Sequence, residues 1–192
     1  MSFDQAYYER FYYDPQTAVT NRKEMQSRAR LIAAYAQHTG LPTRRILDAG
    51  CGTGLLKPWL KRYLPRSSYT GIEASEYLCK KYGWQHSTIE SYKPAAPFDI
   101  VVCYDVVQYL DSATATRALS NLGRLCRGVL YFTALTRVDW EHNCDQTRTD
   151  PNVNLRSAQW YRSRLKGHFR EAGAGFWLRR GAPFTVWDLE SF

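Results

Sequence analysis

Residues 46–54, with the sequence ILDAGCGTG, combine one acidic residue with three closely spaced glycines. Asp48 stands two residues before Gly50, and Gly52 and Gly54 follow at alternate positions. Glycine lets the main chain turn sharply and lets a ligand approach the backbone. The spacing G-x-G-x-G differs from the G-x-G-x-x-G of dinucleotide sites, and Asp48 would repel the pyrophosphate that such sites bind. A ligand that carries positive charge would instead be stabilised by Asp48.

A second acidic residue, Glu73, follows Asp48 at the end of the next predicted strand. An ionised carboxylate only accepts hydrogen bonds, so Glu73 can bind both hydroxyls of a ribose. NAD sites use the same arrangement, which makes Glu73 an indicator of an adenosine nucleoside and not of one particular reaction. The alternative is a surface glutamate beside Ser75, the predicted cap of a helix. The chain contains no GxxxxGK[ST] segment, which argues against a P-loop.

The elements that position these residues alternate between strands and helices. Strands are predicted at residues 45–48, 69–73, 85–89, 98–104 and 129–135. Helices are predicted near residues 3–12, 17–38, 55–64, 75–82, 111–125 and 155–172. The unbroken apolar run at 98–104 is typical of a strand buried on both faces. This alternation predicts an α/β fold, doubly wound, with a mostly parallel sheet and helices at the N-terminus.

The C-terminal end departs from the alternation. Residues 175–179 and 184–188 are β-prone and flank Gly181, Ala182 and Pro183, which predicts a closing antiparallel hairpin. At 192 residues the chain fits a single domain. Within residues 1–192 we expect a helical lid or cap over 1–40 and a nucleoside-binding core over 44–192.

Composition limits the possible partners and compartments. The five cysteines are an odd number, form no CxxC pair and have no histidine at zinc spacing, so we expect reduced thiols and no metal. No apolar run reaches the roughly 20 residues of a membrane-spanning helix, and the first ten residues do not resemble a signal peptide. We therefore expect a cytoplasmic protein without a membrane partner.

The net charge of +8 is concentrated mildly in residues 151–192, which carry seven Lys or Arg and three Asp or Glu. Five basic residues fall in one predicted helix: Arg156, Arg162, Arg164, Lys166 and Arg170. Such a run is typical of a solvated helical face. It also leaves open a contact with nucleic acid.

Three segments resemble the successive motifs of class I S-adenosylmethionine-dependent methyltransferases. They are ILDAGCGTG, YTGIEAS and FDIVVCYDVVQYL, and the resemblance extends from about Arg44 to the C-terminus. It implies a Rossmann-like, seven-stranded sheet whose last strand is antiparallel, in agreement with the predicted hairpin.

The resemblance implies S-adenosylmethionine as the cofactor. By position it assigns Asp48 and the backbone of Gly50, Cys51 and Gly52 to the methionine part, and Glu73 to the ribose. Asp48 is then favourable, because the cofactor carries a sulfonium and an α-ammonium group.

Further positions follow from the same resemblance. Ala74, Thr88 and Ile89 are expected beside the adenine, where the family's usual aspartate is replaced here by serine or threonine. Tyr104 and Asp105 are expected beside the methionine amine and the transferred methyl group.

Two kinds of methyl transfer have sequence motifs that this chain lacks. The stretch after the fourth predicted strand, YDVVQY, lacks the Asn/Asp-Pro-Pro-aromatic signature of exocyclic amine methylation, and no Pro-Cys pair offers a cytosine-attacking nucleophile. Transfer to an oxygen, nitrogen or sulfur atom of a small molecule remains, and we assign no catalytic residue. The alternatives are methylation of RNA, such as tRNA, and a non-catalytic module that binds S-adenosylmethionine.

Two segments are candidates to contact the acceptor. Tyr8, Tyr12 and Tyr13 belong to an aromatic N-terminal stretch that either closes over the cofactor as a lid or packs permanently on the sheet. Trp140 and His142 belong to a predicted loop after the fifth strand, where His142 is a possible base or simply a solvated side chain.

Overall fold

A computed structural model describes residues 3–182, Phe184 and Trp187. The strands are β1 Arg45–Ala49, β2 Ser68–Glu73, β3 Gln85–His86, β4 Phe98–Tyr104, β5 Cys126–Thr133, β6 Phe169–Gly173 and β7 Phe176–Arg179. They form one seven-stranded sheet in the order β3-β2-β1-β4-β5-β7-β6. Strands β1 to β5 pair in parallel, whereas β7 runs antiparallel to both β5 and β6. The predicted mostly parallel sheet with an antiparallel end is confirmed.

Helices precede, connect and follow the strands. They are α1 Gln5–Tyr8, a π-helical turn Glu9–Tyr13, α2 Arg22–His38, α3 Lys57–Tyr63, α4 Glu76–Tyr82, a 3-10 turn Val107–Tyr109, α5 Ser112–Leu125, α6 Arg137–His142 and α7 Ala158–Leu165. Ser75 caps α4, as predicted, and Asp111 caps α5; both side chains accept backbone N–H bonds. Helix α2 begins at Arg22 and not near residue 17, because Asn21 and Glu24 form a capping box there.

Each face of the sheet has its own apolar layer. On one face α5 and α7 contribute Leu119 and Leu165 to a buried cluster that includes residues of β4 and β5. On the other face Ile32 of α2 and Leu60 of α3 belong to a second cluster. Strand β4 lies between these layers, and its first six residues are at most 3% exposed, as expected for a strand buried on both faces.

The C-terminal hairpin is formed by a different pair of segments from the predicted one. Residues 176–179 do form a strand, but its hairpin partner is β6, which the sequence had suggested was helical. The chain turns at Gly173, Ala174 and Gly175, all with positive φ, so this short glycine-rich segment is the hairpin turn. The predicted second strand at 184–188 lies mostly outside the described residues.

Two other predicted elements also need correction. Helix α7 ends at Leu165 and does not continue to residue 172, because Gly167 interrupts it and β6 begins at Phe169. Its predicted basic face is divided: Arg156 lies before the helix and is buried, and Arg170 lies in β6. The predicted loop around Trp140 contains helix α6, which Thr136 caps through the backbone N–H of Asp139.

Within the described part of the chain, no helix is both long enough and apolar enough to cross a lipid bilayer. All five cysteines are free thiols, as their odd number and wide spacing had suggested.

Candidate functional site

The glycine turn after β1 brings main chain to the carboxyl end of the sheet. Gly50, Gly52 and Gly54 have φ values of +81°, +54° and +75°, which glycine adopts without steric cost. A Cβ atom at Gly50 would stand 2.5 Å from the side chain of Val106, so a side chain there would displace the segment after β4. The backbone N–H of Gly50 also donates to the carbonyl of Ile72 at 2.9 Å. The turn is therefore held against the end of β2.

Glu73 is fixed at the end of β2 by three backbone donors. Its Oε2 accepts from the N–H of Gly52 at 2.9 Å, and its Oε1 accepts from Ala74 at 2.9 Å and Ser75 at 3.0 Å. The residue is 7% exposed. These bonds stabilise an ionised carboxylate and join it to the glycine turn. The carboxylate can still accept a hydrogen bond from a ligand hydroxyl beside it.

Asp48 is buried near the end of β1 and has one side-chain partner. It is 3% exposed, and its Oδ2 accepts from the hydroxyl of Tyr69 at 2.6 Å. Burial raises the pKa of Asp48 to about 7, although the bond from Tyr69 lowers it. A cation near Asp48 would stabilise its ionised form.

Tyr104 and Asp105 lie where β4 ends. Asp105 has φ of +53°, an uncommon conformation for a residue other than glycine, and its Oδ1 accepts from the hydroxyl of Thr133 at 3.0 Å. Burial raises the pKa of Asp105. The guanidinium of Arg28 lies 3.8 Å from the centre of the Tyr104 ring and donates to the hydroxyl of Tyr131. These contacts position both residues at the carboxyl edge.

Two adjoining cavities surround the glycine turn. One, of about 120 Å³, contains Glu73 in its wall and is called the Glu73 cavity. The other, of about 350 Å³, contains Asp48 and is called the Asp48 cavity. The residues that line both are Tyr12, Gly50, Gly52, Tyr104, Asp105 and Tyr109. One ligand can therefore extend past the glycine turn from one cavity into the other.

Most of the predicted site residues line these cavities. Besides the shared residues, the Glu73 cavity is lined by Tyr8, Glu73, Ala74, Thr88 and Ile89. The Asp48 cavity is lined by Asp48 and Cys51. The predicted cofactor residues thus come together around one pair of cavities.

Three predicted acceptor residues lie outside both linings. The hydroxyl of Tyr13 forms a hydrogen bond of 2.9 Å with that of Tyr82 on α4. Trp140 and His142 lie on α6, and the His142 side chain is 70% exposed. The cavity wall is formed instead by the residues that follow α6, among them Cys144 and Asp150.

The structure adds lining residues that the sequence did not single out. Gln108 and Tyr109 belong to the 3-10 turn after β4, and their place in the YDVVQYL run was the available signal. Glu90 follows the predicted adenine-side residues directly, and its enclosed Oε2 finds no hydrogen-bond partner within the described part of the chain. Asp150 gave no signal, because only the path of the long connection after β5 brings it to the cavity.

The N-terminal segment covers the cavities from outside the sheet. The hydroxyl of Ser75 donates to the carbonyl of Phe3 at 2.6 Å, and the hydroxyl of Tyr7 donates to that of Tyr109 at 3.1 Å. Tyr8 is buried, and its ring stacks on Tyr77 of α4 at 6.0 Å. This segment supplies one wall of the Glu73 cavity.

The Asp48 cavity is acidic. Its described lining contains Arg148 as the one basic side chain and five acidic ones, namely Glu24, Asp48, Asp105, Asp145 and Asp150. Such a wall favours a cationic ligand and disfavours an anionic one. Among the described residues, no group of three or more His, Cys, Asp or Glu is placed to hold a metal ion.

Comparison with known proteins gives a family match and more distant relatives. A family model described as a methyltransferase domain matches residues 21–176, more than half of the chain. The ubiquinone biosynthesis O-methyltransferase of Aromatoleum aromaticum is 28% identical over 115 residues, which are 53% of this chain and 48% of that protein. The enzyme of the same name from Methylococcus capsulatus is 28% identical over 114 residues, with shares of 52% and 47%. The chain spans about half the length of the curated relatives it matches.

Solved structures share the fold at low identity. DesVI of Streptomyces venezuelae superimposes with a TM-score of 0.64 at 15% identity, covering 93% of this chain and 99% of that one. The magnesium protoporphyrin IX methyltransferase of Synechocystis, solved with bound S-adenosylhomocysteine, gives 0.58 at 16% identity, with 80% of each chain covered. At these identities the likeness concerns the fold alone.

Proposed function

Because this chain belongs to the methyltransferase-domain family, we propose that it transfers a methyl group from S-adenosylmethionine to an oxygen, nitrogen or sulfur atom of a small molecule. One observation carries the proposal. Glu73 accepts a hydrogen bond from the glycine turn, and Asp48 lies on the strand next to that of Glu73. Together the three line two adjoining cavities.

The residues present fit S-adenosylmethionine. Gly52 has open space where a side chain would lie and lines both cavities, so a ligand can approach main chain at the turn. Glu73 is the buried acceptor suited to a ribose hydroxyl, and Asp48 is the buried acid suited to a cationic methionine part. When bound, the cofactor supplies the methyl group that its sulfonium activates.

The chain's own contribution is to hold two ligands together and to exclude water. Tyr104 and Asp105 line both cavities, and the Asp48 cavity extends beyond them toward Arg148 and Asp150. We assign the acceptor to that extension. Positioning and desolvation are then the sources of catalysis that these residues provide.

A small acceptor is favoured over nucleic acid by the charges near the site. A phosphate backbone requires basic side chains, but the Asp48 cavity is lined mainly by acids. The predicted basic helix also does not form one face. The buried guanidinium of Arg156 donates to main-chain carbonyls, and Arg162 pairs with Glu171 at 2.7 Å.

Calorimetry with S-adenosylhomocysteine tests the cofactor assignment. Glu73→Gln should weaken binding by roughly 1–3 kcal/mol, because one acceptor oxygen is lost while the side-chain shape remains. Glu76→Gln is the matched control, since Glu76 is exposed and pairs with Lys80 of the same helix. Equal binding by wild type and Glu73→Gln, with both folded, would refute the assignment.

Transfer itself is tested with methyl-labelled S-adenosylmethionine and a cell extract that contains both small molecules and RNA. Label should appear in a product that forms only with the protein present. Binding of S-adenosylhomocysteine without any transfer would favour the non-catalytic module. Label recovered only in RNA would favour the nucleic-acid alternative.

A further inference from the structure

Asp150 is a buried carboxylate in the wall of the Asp48 cavity, and one of its oxygens has no hydrogen-bond partner in the part of the chain that the structure describes. The residue is 2% exposed, and its Oδ1 accepts from the backbone N–H of Asn152 at 2.9 Å. Its Oδ2 is enclosed and has no donor among the described residues. Buried carboxylates are stabilised by donors, so the Asp150 carboxylate is a candidate partner for a donating group of a ligand in this cavity.

The connection that carries Asp150 is fixed to the end of β4. The backbone N–H of Asn154 donates to the carbonyl of Gln108 at 2.7 Å. The buried guanidinium of Arg156 donates to the carbonyl of Val107 at 3.3 Å. Because these bonds follow Asp150 closely in sequence, they restrain its carboxylate beside the 3-10 turn.

The charge around this oxygen specifies the ligand further. S-adenosylmethionine carries a sulfonium, an ammonium and a carboxylate, so it neutralises only part of the acidic lining of the Asp48 cavity. Arg148, the basic residue of that lining, already donates to the carbonyl of Ala18. An acceptor with negative charge would meet an excess of carboxylates, whereas a cationic one would be attracted.

We propose that the methyl acceptor is a small molecule with a protonated amino group, and that Asp150 binds this ammonium. The proposal rests on the proposed methyl transfer and adds the charge class of the acceptor and the residue that recognises it. An ammonium has three donors, and Gln108 and Tyr109, which line the same cavity, offer neutral polar groups beside the carboxylate. The ammonium anchors the molecule; the atom that receives the methyl group is a separate question.

The experiment determines the net charge of the methylated product. The full chain is incubated with methyl-labelled S-adenosylmethionine and a small-molecule extract, and labelled products are separated by electrophoresis at neutral pH. A sample without protein identifies the remaining cofactor. We expect the main product to migrate as a cation. Migration as a neutral or anionic species would overturn the proposal while leaving methyl transfer established.

Variants connect the product charge to Asp150. Asp150→Asn should lower transfer about tenfold or more, because the ammonium loses its charged partner. It should bind S-adenosylhomocysteine with an affinity within about twofold of wild type, which also shows that the fold is retained. Glu141→Gln is the matched control, since it removes the same charge from an exposed position of α6.

The outcomes separate the two proposals. Unchanged transfer by Asp150→Asn would overturn the ammonium site. If the folded wild-type protein did not bind S-adenosylhomocysteine, the proposed function would instead be refuted. Rescue of Asp150→Asn transfer by Asp150→Glu, which restores the charge, would further support the site.

Discussion

Asp48 and Glu73 are both buried acids at the ends of neighbouring strands, yet their surroundings differ. Glu73 accepts three backbone N–H bonds, which fix the position of its carboxylate. Asp48 accepts one hydroxyl bond from Tyr69, and burial raises its pKa to about 7. At the residue scale, Asp48 is therefore the acid whose charge depends on pH near neutrality.

Affinity for S-adenosylmethionine should rise between pH 6 and 7.5. Protonated Asp48 predominates below its pKa of about 7 and carries no charge, whereas the carboxylate above that pH attracts the cationic cofactor. We expect an increase of about fivefold, measured by calorimetry. The ligand's α-amino group, with a pKa of roughly 8, stays mainly protonated in this range. Asp48→Asn should lose most of the increase; an unchanged slope in that variant would assign the titration to another group.

Glu90 should distinguish adenine from a base without an amino group. Glu90 lines the Glu73 cavity beside Thr88 and Ile89, where the family resemblance implies the adenine, and its enclosed Oε2 has no hydrogen-bond partner among the described residues. Wild type should bind S-adenosylhomocysteine more tightly than S-inosylhomocysteine, because the carbonyl of the second ligand faces a carboxylate. Glu90→Gln can donate to that carbonyl and should reduce the preference by about tenfold. A preference that survives the substitution would exclude Glu90 from base recognition.

At the scale of elements, the N-terminal segment is the least determined from sequence. Its aromatic residues are compatible with a lid or with permanent packing. Among the described residues, side-chain hydrogen bonds from Ser75 to Phe3, from Tyr7 to Tyr109 and between Tyr13 and Tyr82 connect the segment to the rest of the protein. A cover held in this way can open to admit a ligand that then contacts its inner side.

Trypsin digestion tests whether this cover closes on the cofactor. S-adenosylhomocysteine should slow cleavage after Arg10, because Tyr8 and Tyr12 line the cavities that the ligand would fill. Cleavage after the exposed Arg66, on the loop before β2, should not change. Tyr7→Phe, which removes a hydroxyl bonded to Tyr109, should speed cleavage after Arg10 in the ligand-free protein. Identical rates with and without ligand would indicate permanent packing.

Sequence predicted those elements whose signals are local. The apolar run of β4, the glycines after β1 and the cap at Ser75 each act within a few residues, and all were located correctly. The hairpin was predicted at the wrong residues. Residues 169–172 continue the helical pattern of α7 in the sequence, and they form a strand because they pair with β7. Asp150 reaches its cavity through a connection whose path depends on contacts distant in sequence, so no local pattern could reveal it.

At the scale of the whole molecule, the two ends of the parallel strands have different roles. Contacts at the amino ends stabilise the fold, and the carboxyl ends carry the cavities. Asp99 is buried near the start of β4, at the end of the strands opposite the glycine turn. Its Oδ2 accepts from the N–H groups of Arg44 and Arg45 at 2.8 Å, and its Oδ1 accepts from Arg127 at 2.7 Å. Asp99 thereby joins the starts of three neighbouring strands.

Asp99→Asn should lower the free energy of unfolding by roughly 2–3 kcal/mol, because buried donors lose a charged acceptor. Affinity of the folded variant for S-adenosylhomocysteine should stay within about twofold of wild type. Denaturant unfolding and calorimetry on the same preparation measure both quantities. Glu76→Gln should change stability by less than about 0.5 kcal/mol, since its ion pair is exposed. A loss of affinity together with the loss of stability would show that the two ends of the sheet are not independent.

The distribution of the thiols makes the protein selectively addressable by alkylating reagents. Cys51, Cys103 and Cys126 are buried, and burial raises the pKa of each thiol. Cys79 and Cys144 are both partly exposed, but burial raises the pKa of the Cys79 thiol, whereas Cys144 lines the Asp48 cavity. A maleimide dye should therefore attach first at Cys144, where its emission would report occupancy of the acceptor side without any engineered cysteine.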